Sequence, residues 1–239
     1  MIAGRRVLAV VPARGGSKGI PLKNLRTVAG RPLVALAGDI ARQVPEIDRA
    51  VVSTDYPEIA RVAREAGLDA PFLRPEPISG DRVGDWDVLS HALTAIEAND
   101  GQTYDIVVML QPTSPLRTAE MVSATIRMLS EGNWDSVWSV SETDSKGHPL
   151  KQLLVQDGAM DYYDPAGASI IARQQLVPVY HRNGIAYAIT RECLIEQRSI
   201  KGRRSGAYVV PGDHVSIDTE WDIALVEFIL ARRAGEGAA

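Results

Sequence analysis

The sequence predicts an α/β domain in which a mainly parallel sheet lies between two layers of helices. The first observation is a set of short apolar runs rich in Val and Ile, at 7–11, 50–52, 106–110 and 136–140. Such runs are typical of strands that are buried on both faces. The second observation is that stretches with helical spacing separate these runs, at 32–44, 56–66, 85–98 and 118–129. This alternation predicts parallel strands that are joined by helices.

Length and composition fit one domain over residues 1–239. The chain is 45% apolar, which is enough for a core, and carries a net charge of −4. This charge excludes a broad basic surface for nucleic acid. The only cysteine, Cys193, excludes an intrachain disulfide, is expected to pack in the core and predicts a cytoplasmic location. No apolar run approaches about 18 residues, so we expect no membrane-spanning helix and no membrane partner.

The most informative stretch is the loop after the first strand. It combines three glycines and a serine with three cations, Arg14, Lys18 and Lys23. Glycines let backbone N–H groups approach an anion, and successive N–H groups in a turn form an anion nest. The loop therefore predicts a phosphate site, although neither the P-loop nor the dinucleotide fingerprint fits its spacing. The alternative is a glycine-rich turn with solvated cations. The further candidate contacts of this loop are Ala13, Gly15, Gly16, Ser17 and Asn24.

Two more loops follow strand ends, and the carboxyl ends of parallel strands meet at one edge of a sheet. The loop 111–117 reads Gln-Pro-Thr-Ser-Pro-Leu-Arg. Its two prolines stiffen the backbone, and Gln111 offers a donor and an acceptor that suit the edge of a base. The alternative is a stiff strand-to-helix turn that Ser114 or Thr118 caps. At the other loop, Asp55 is predicted to be the N-cap of the helix at 56–66.

Residues 141–180 interrupt the α/β pattern. Asp157-Gly158 lies between two short strand-like runs, which predicts a β-hairpin. Compact domains rarely carry long loops without a function, so we interpret this segment as an arm. Apolar residues such as Leu154 and Tyr163 are unsuited to an exposed hairpin, which predicts that the arm mediates a homodimer. A strand at 185–189 is expected to rejoin the sheet.

The C-terminal segment is predicted to be a helix over 220–232. Its expected buried face consists of Trp221, Ala224, Leu225, Phe228 and Ile229. Asp218 lies just before this helix, where an aspartate suits the N-cap position. The four histidines, which are not paired at helical spacing, do not predict a metal site: His91, His148, His181 and His214.

The motif Pro-Ala-Arg-Gly-Gly-Ser-Lys-Gly-Ile-Pro-x-Lys-Asn at 12–24 resembles the signature of the acylneuraminate cytidylyltransferases, also called CMP-sialic acid synthetases. The resemblance continues from about residue 7 to residue 229. It implies a Rossmann-like nucleotidyltransferase fold of the GT-A-like type, a three-layer sandwich with a mixed, mainly parallel sheet and a dimerisation arm at 141–180. It also implies an activity, the activation of an acidic nine-carbon sugar with CTP to give a CMP-sugar and pyrophosphate.

The resemblance distributes roles among the candidate residues. Arg14, Lys18 and Lys23 are assigned to the triphosphate as catalytic cations, and Gln111 and Asp85 to the cytidine. The family's arm reaches the sugar, which assigns Lys151, Arg173 and Asn183 to substrate binding. An arginine fork suits a carboxylate, but the alternative for the arm residues is solvated cations on a hairpin. Asp218 is assigned to Mg²⁺.

The chain departs from the family pattern at two positions. Ser216 stands where the family usually has an aspartate, which leaves Asp218 as a single carboxylate; one carboxylate with phosphates and waters can still hold Mg²⁺. His181 stands where relatives often have arginine, with Arg182 beside it. Legionaminate and pseudaminate synthetases share the first loop, whereas the eight-carbon Kdo enzymes lack its Gly-Gly-Ser-Lys-Gly run. A nucleotide-binding homologue without turnover is the further alternative that these departures favour.

Overall fold

The central feature of the computed structural model, which describes residues 1–236, is a six-stranded sheet. The described residues contain ten strands, of which β2–β3 and β7–β8 form two separate pairs and the other six form this sheet: β1 (Val7–Pro12), β2 (Thr27–Val28), β3 (Arg31–Pro32), β4 (Arg49–Ser53), β5 (Ile106–Met109), β6 (Ser136–Glu142), β7 (Leu153–Gln156), β8 (Ala159–Tyr162), β9 (Tyr180–Thr190) and β10 (Ser205–Val209). The helices are α1 (Leu33–Ala41), α2 (Pro57–Glu65), α3 (Asp85–Asp100), α4 (Ala119–Glu131), α5 (Arg191–Ile195) and α6 (Glu220–Glu236).

The strand order in the sheet is β10-β6-β9-β5-β1-β4. β1 pairs in parallel with β4 and β5, and β10 pairs in parallel with β6. Only β9 runs against its neighbours, β5 and β6. The predicted mixed, mainly parallel sheet is therefore confirmed. The sequence pattern did not reveal β10, which is a short edge strand with a glycine as its second residue.

Alternating residues of β1 build the two sides of the core. Val7, Ala9 and Val11 pack with α1, α2 and α4, whereas Leu8 and Val10 pack with α3 and α5. All five side chains are buried, as expected for a strand between two helix layers. Burying one Val or Leu side chain contributes about 1.5–3 kcal/mol to folding. This confirms the predicted three-layer, Rossmann-like architecture.

A third apolar cluster lies between the first loop and α6, and it corrects the predicted face of that helix. Ile223 and Val226 pack against Ile20 in this cluster. Trp221 and Phe228 instead remain 74% and 64% exposed. The prediction was wrong for Trp221 and Phe228, whereas Ile229 does pack against this cluster. Because α6 is apolar on more than one face, spacing alone does not tell which stripe meets the cluster.

A β-bulge in β9 shapes the sheet beside the ends of β1 and β5. The register between β6 and β9 shifts between Trp138 and Val140, and β9 carries Asn183 and Gly184 at this point. Gly184 has a φ of +70°, and a Cβ there would lie 2.4 Å from the Gln111 side-chain oxygen. Only glycine fits both the backbone angle and the close approach.

The segment between β6 and β9 is a projection whose main element is the β7–β8 hairpin. Asp157 and Gly158 connect the two strands with φ values of 52° and 84°, so the predicted hairpin is confirmed. Several large apolar side chains of this projection are exposed: Leu153, Leu154, Val155, Met160, Tyr163, Ile171 and Val177. No helix within residues 1–236 has the length and apolar character that crossing a bilayer requires.

Candidate active site

A cleft of about 530 Å³ opens where β1 and β5 end. Eight of the residues that the sequence singled out line it together: Arg14, Ser17, Lys18, Lys23, Asn24, Asp85, Gln111 and Asp218. The cleft thus joins the basic loop, the start of α3, the Gln111 loop and the segment before α6. Ala13, Gly15 and Gly16 belong to the same loop but lie outside the cleft lining.

Asp55 fixes the start of the basic loop and does not cap a helix. Its carboxylate accepts a hydrogen bond from the backbone N–H of Gly15 at 2.8 Å. A Cβ on Gly15 would lie 3.0 Å from the Tyr56 side chain, so the loop and the end of β4 approach closely at this glycine. α2 begins at Pro57 with Tyr56 in the cap position and no side-chain cap. The predicted N-cap was wrong because the loop offers Asp55 a tertiary donor.

Lys23 is the most enclosed of the three cations. Its Nζ donates to the Ile217 carbonyl at 2.9 Å and to the Asp218 carboxylate at 2.8 Å, and its side chain is only 15% exposed. Leu22 precedes it in the left-handed region, with φ 48°, at the start of a short 3-10 turn over Lys23–Leu25. Such backbone strain in a non-glycine residue is typical of functional loops. The turn therefore holds Lys23 in one position within the cleft.

Two close contacts lock this loop further. The side chain of Asn24 is buried and donates to the Arg14 carbonyl at 2.9 Å, so it shapes the loop from within. A Cβ on Gly19 would lie 2.7 Å from the carbonyl oxygen of Asp218, so the loop touches the segment before α6 backbone to backbone. The sequence offered no signal for this contact, which depends on how α6 docks.

Asp81 is a cleft residue that the sequence analysis missed. Its carboxylate accepts from Arg14 at 2.5 Å and forms an ion pair with Lys18 at 2.6 Å. Hydrogen bonding to Lys18 and then to Arg14 lowers the pKa of Asp81. Nothing in the loop 79–84 suggests this role from sequence, because the two cations lie more than sixty positions earlier. Arg14 and Lys18 of the basic loop therefore share one carboxylate as their partner.

Arg74 and Asp85 form the opposite wall, and Arg74 was also missed. Arg74 is buried and donates to the side chain and the carbonyl of Ser53. Burial lowers the pKa of its guanidinium and raises the pKa of Asp85, the latter against the attraction of Arg182 and Arg74. Among the described residues, no hydrogen-bond donor reaches the Asp85 carboxylate. A partly desolvated, unpartnered carboxylate therefore faces the cleft from the first turn of α3.

Arg117 holds the Gln111 loop against β9. This arginine is buried and donates to the carbonyls of Ile185 and Gly184, at 2.7 and 2.9 Å, and to that of Gln111. Burial lowers the pKa of Arg117 to about 9. Thr118 accepts from Met121 as the cap of α4, as the alternative interpretation of this block predicted. The loop is therefore a stiff turn that also brings Gln111 into the cleft.

Asp218 is not the N-cap of α6. Thr219 takes that position, because its hydroxyl accepts from the Asp222 N–H at 3.3 Å while the Asp222 carboxylate accepts from the Thr219 N–H at 2.7 Å. This reciprocal pair is a capping box. The Asp218 side chain is free to face the cleft beside Ser216, with Lys23 as its partner. Within the part of the chain that the structure describes, no group of three or more His, Cys, Asp or Glu residues forms a metal cluster.

Asn183 does not line the cleft, in contrast to its predicted role. It is buried in the β9 bulge, where its amide oxygen accepts from Ser139 at 2.7 Å and from the Ile185 N–H at 3.1 Å. Its amide nitrogen donates to Ser141 at 3.1 Å. These bonds use the amide to hold the bulge, and substrate binding by Asn183 stays a prediction.

Other predicted residues lie away from the cleft. Lys151 and Arg173 are exposed on the projection and do not line the cleft of their own chain. His181 contacts Thr143 at 3.0 Å, whereas Arg182 lies over the Trp138 ring, so these neighbours face opposite sides of β9. Cys193 is buried, and burial raises the pKa of its thiol to about 11, which confirms its packing role.

Comparisons with known proteins agree with this fold and cleft. A family model described as Cytidylyltransferase matches residues 8–229. The CMP-N,N'-diacetyllegionaminic acid synthase of Legionella pneumophila is 32% identical over 237 residues, which cover 94% of this chain and 96% of that protein. An N-acylneuraminate cytidylyltransferase of Streptococcus agalactiae serotype III is 31% identical over 219 residues, which cover 90% of this chain but only 51% of that longer protein.

Among solved structures, CMP:2-keto-3-deoxy-manno-octonic acid synthetase complexed with CTP superposes with a TM-score of 0.69. The superposition covers 95% of this chain and 99% of that one, and at 19% identity it shows a shared fold. The family model, by contrast, covers nearly the whole chain. The chain therefore belongs to the cytidylyltransferase family of nucleotidyltransferase enzymes, and its resemblance to the acylneuraminate cytidylyltransferases is confirmed.

Proposed function

We propose that this chain transfers CMP from CTP to the anomeric hydroxyl of an acidic nine-carbon sugar, a sialic acid or a close relative, and releases pyrophosphate. The observation that carries the proposal is the convergence of Arg14, Lys18 and Lys23 in one cleft with Gln111. Three cations match a triphosphate, and a stiff amide-bearing loop matches a nucleobase. The names of the relatives from Legionella and Streptococcus supply the class of sugar.

The reaction needs positioning and charge neutralisation more than covalent help from the protein. The sugar hydroxyl forms a bond to the α-phosphorus and gives up its proton to water, while the bond from this phosphorus to the β-phosphate oxygen breaks and its electron pair stays with the pyrophosphate. Negative charge develops on the departing pyrophosphate. Lys23 stabilises that charge best among the loop cations, because its two hydrogen bonds and low exposure hold it in place before the substrate arrives.

The cleft residues also suit a magnesium ion that the triphosphate would share. Mg²⁺ is commonly bound by one or two carboxylates together with substrate phosphates and waters. Asp218 is the carboxylate that would hold it, since it faces the cleft beside Ser216 and is not used as a helix cap. The ion would neutralise charge on the phosphates. Lys23 would remain beside the phosphates, because the Ile217 carbonyl also holds its ammonium group.

On the cytidine side, two groups differ in what they contribute. Gln111 offers a neutral amide to the base, and Arg117 keeps its loop rigid. Asp85 offers a carboxylate acceptor, which suits a ribose hydroxyl and repels phosphate. These roles place the nucleoside near the start of α3 and the triphosphate over the basic loop.

We further propose a homodimer in which the projection of one copy completes the site of the other. Lys151 and Arg173 are the cations assigned to the sugar carboxylate, yet in their own chain they lie outside the cleft. The same projection exposes large apolar side chains such as Val155 and Ile171, which a second copy would cover. A partner's arm is therefore the source of the sugar-binding cations.

The test is pyrophosphate release from CTP with Mg²⁺ in the presence of a sugar panel. The panel contains N-acetylneuraminate, legionaminate, pseudaminate and Kdo, each with a no-sugar control. We expect release with at least one nine-carbon sugar and none with ATP or GTP in place of CTP. Release only with Kdo would contradict the nine-carbon assignment. CTP binding by calorimetry without release for any sugar would indicate the homologue without turnover, which the Ser216 departure favours.

A further inference from the structure

Two cations of the basic loop, Arg14 and Lys18, are already paired with a carboxylate of the protein, that of Asp81. One oxygen of Asp81 accepts from Arg14 at 2.5 Å, and the other oxygen lies 2.6 Å from the Lys18 ammonium. A carboxylate that bridges two cations in this way copies the geometry of a phosphate group between the same two side chains. A triphosphate that binds Arg14 and Lys18 must therefore replace Asp81.

Asp81 is built to be displaced. The side chain of Asp81 is 37% exposed and that of Lys18 is 80% exposed. Because water already reaches both groups, it can solvate them when the ion pair breaks. Asp81 lies on the surface loop 79–84, and a Cβ on Gly80 would meet only Val83 at 3.9 Å, so the backbone is uncrowded. Exposed ion pairs of this kind are weak, in contrast to buried ones.

The pair at Lys23 differs in its cation, because Asp218, at 76% exposed, is even more open to water than Asp81. Lys23 is only 15% exposed and is also anchored by the Ile217 carbonyl, so it stays in place when its carboxylate partner changes. The cleft thus contains one cation that a backbone carbonyl holds in place and two cations that share the carboxylate of Asp81. This difference matters most for the product, because free pyrophosphate lacks the nucleoside contacts that help CTP to displace Asp81.

We propose that Asp81 is a resident counter-ion that competes with phosphates for Arg14 and Lys18 and thereby weakens the retention of pyrophosphate. The pairs re-form as pyrophosphate leaves, so Asp81 assists product release. This role depends on the proposed function for its place in the reaction, but the competition itself is a property of the cleft that binding measurements test directly.

The primary experiment is calorimetric titration of inorganic pyrophosphate, with EDTA present so that no metal takes part. The wild-type chain is compared with Asp81→Asn and Asp81→Ala, the second of which also removes the amide oxygen as an acceptor. Asp87→Asn is the matched control, because it makes the same charge change on the neighbouring helix and has no ion-pair partner among the described residues. Thermal unfolding of each variant verifies that it is folded.

We expect both Asp81 variants to bind pyrophosphate about tenfold more tightly than the wild type, as loss of two exposed competing pairs predicts. Asp87→Asn should change the affinity less than twofold, and Asp81→Glu should keep the wild-type affinity. Unchanged affinity in the Asp81 variants would show that the two pairs are solvated surface contacts and would overturn the proposal. Weaker binding would overturn it as well, since Asp81 would then help to hold the anion.

A second measurement, pyrophosphate inhibition of CMP transfer, tests whether Asp81 competes with pyrophosphate during the reaction. Pyrophosphate inhibition of CMP transfer should become about tenfold stronger in Asp81→Asn, whereas Asp87→Asn should match the wild type. If no sugar supports transfer but the calorimetric result holds, the proposed function fails and the counter-ion remains. If transfer occurs and the pyrophosphate affinity does not rise, the counter-ion proposal alone fails.

Discussion

Replacing Lys23 with alanine tests whether a preorganised cation drives departure of pyrophosphate. The ammonium group is held by the Ile217 carbonyl and the Asp218 carboxylate, at 2.9 and 2.8 Å. At about 4 Å from a phosphate oxygen, in surroundings of intermediate polarity, one unit charge interacts by about 4 kcal/mol. Removing a single preorganised donor at a developing negative charge typically costs about 3 kcal/mol. We therefore expect Lys23→Ala to lower the turnover number about 10²-fold.

Lys18 provides the matched comparison within the same loop. Its side chain is 80% exposed, against 15% for Lys23, so solvent and salt screen its charge. Exposed charge pairs contribute about 1 kcal/mol or less, so Lys18→Ala should lower the turnover number less than tenfold. Both variants carry the same loss of charge, whereas the enclosure and the partners of the two side chains differ.

The assay is single-turnover CMP transfer at saturating CTP, with thermal unfolding as the control for folding. Lys23→Ala leaves the Ile217 carbonyl without its side-chain donor, which costs about 1 kcal/mol of stability and leaves the fold intact. Lys23→Arg retains charge and should recover part of the rate. Turnover near the wild-type value in Lys23→Ala, or equal losses in the two alanine variants, would refute the reasoning.

Three further predictions address the dimer, the bulge and the cleft carboxylate. Arg173→Ala and Lys23→Ala chains, each inactive alone, should regain about a quarter of full activity in 1:1 mixed dimers; a monomer by sedimentation, or no recovery, would contradict the shared site. Gly184→Ala should lower the free energy of unfolding by about 2 kcal/mol or more in urea titrations, because its φ is +70° and its Cβ would clash with Gln111; an unchanged midpoint would contradict this. Burial raises the pKa of Asp85, so the native state binds more protons than the unfolded chain between the two pKa values, and stability falls as pH rises through that window. The urea midpoint of Asp85→Asn should therefore be higher than that of the wild type at about pH 7 and equal to it at about pH 3. A difference in midpoint at both pH values would show that ionisation of the Asp85 carboxyl is not its cause.

The sequence by itself determined the layers and the chemistry of the basic loop. Buried strands are nearly continuous apolar runs, as in β1, and helices repeat every 3.6 residues, so local patterns reveal both. Arg14, Lys18 and Lys23 are close in sequence and follow a strand end, so their common location was predictable. The Asp157-Gly158 hairpin was predictable for the same reason, since a turn depends on neighbouring residues.

Tertiary structure alone decided which partners these groups meet. Asp55 binds the loop instead of capping α2, Asp81 pairs with cations far earlier in the chain, and Asn183 is consumed by the bulge. Each choice depends on long-range contacts, and polar side chains take whichever donor or acceptor the packed fold presents. The buried face of α6 could not be predicted from the sequence for a related reason. More than one stripe of this helix is apolar, and only its docking on the third cluster selects Ile223 and Val226 for burial.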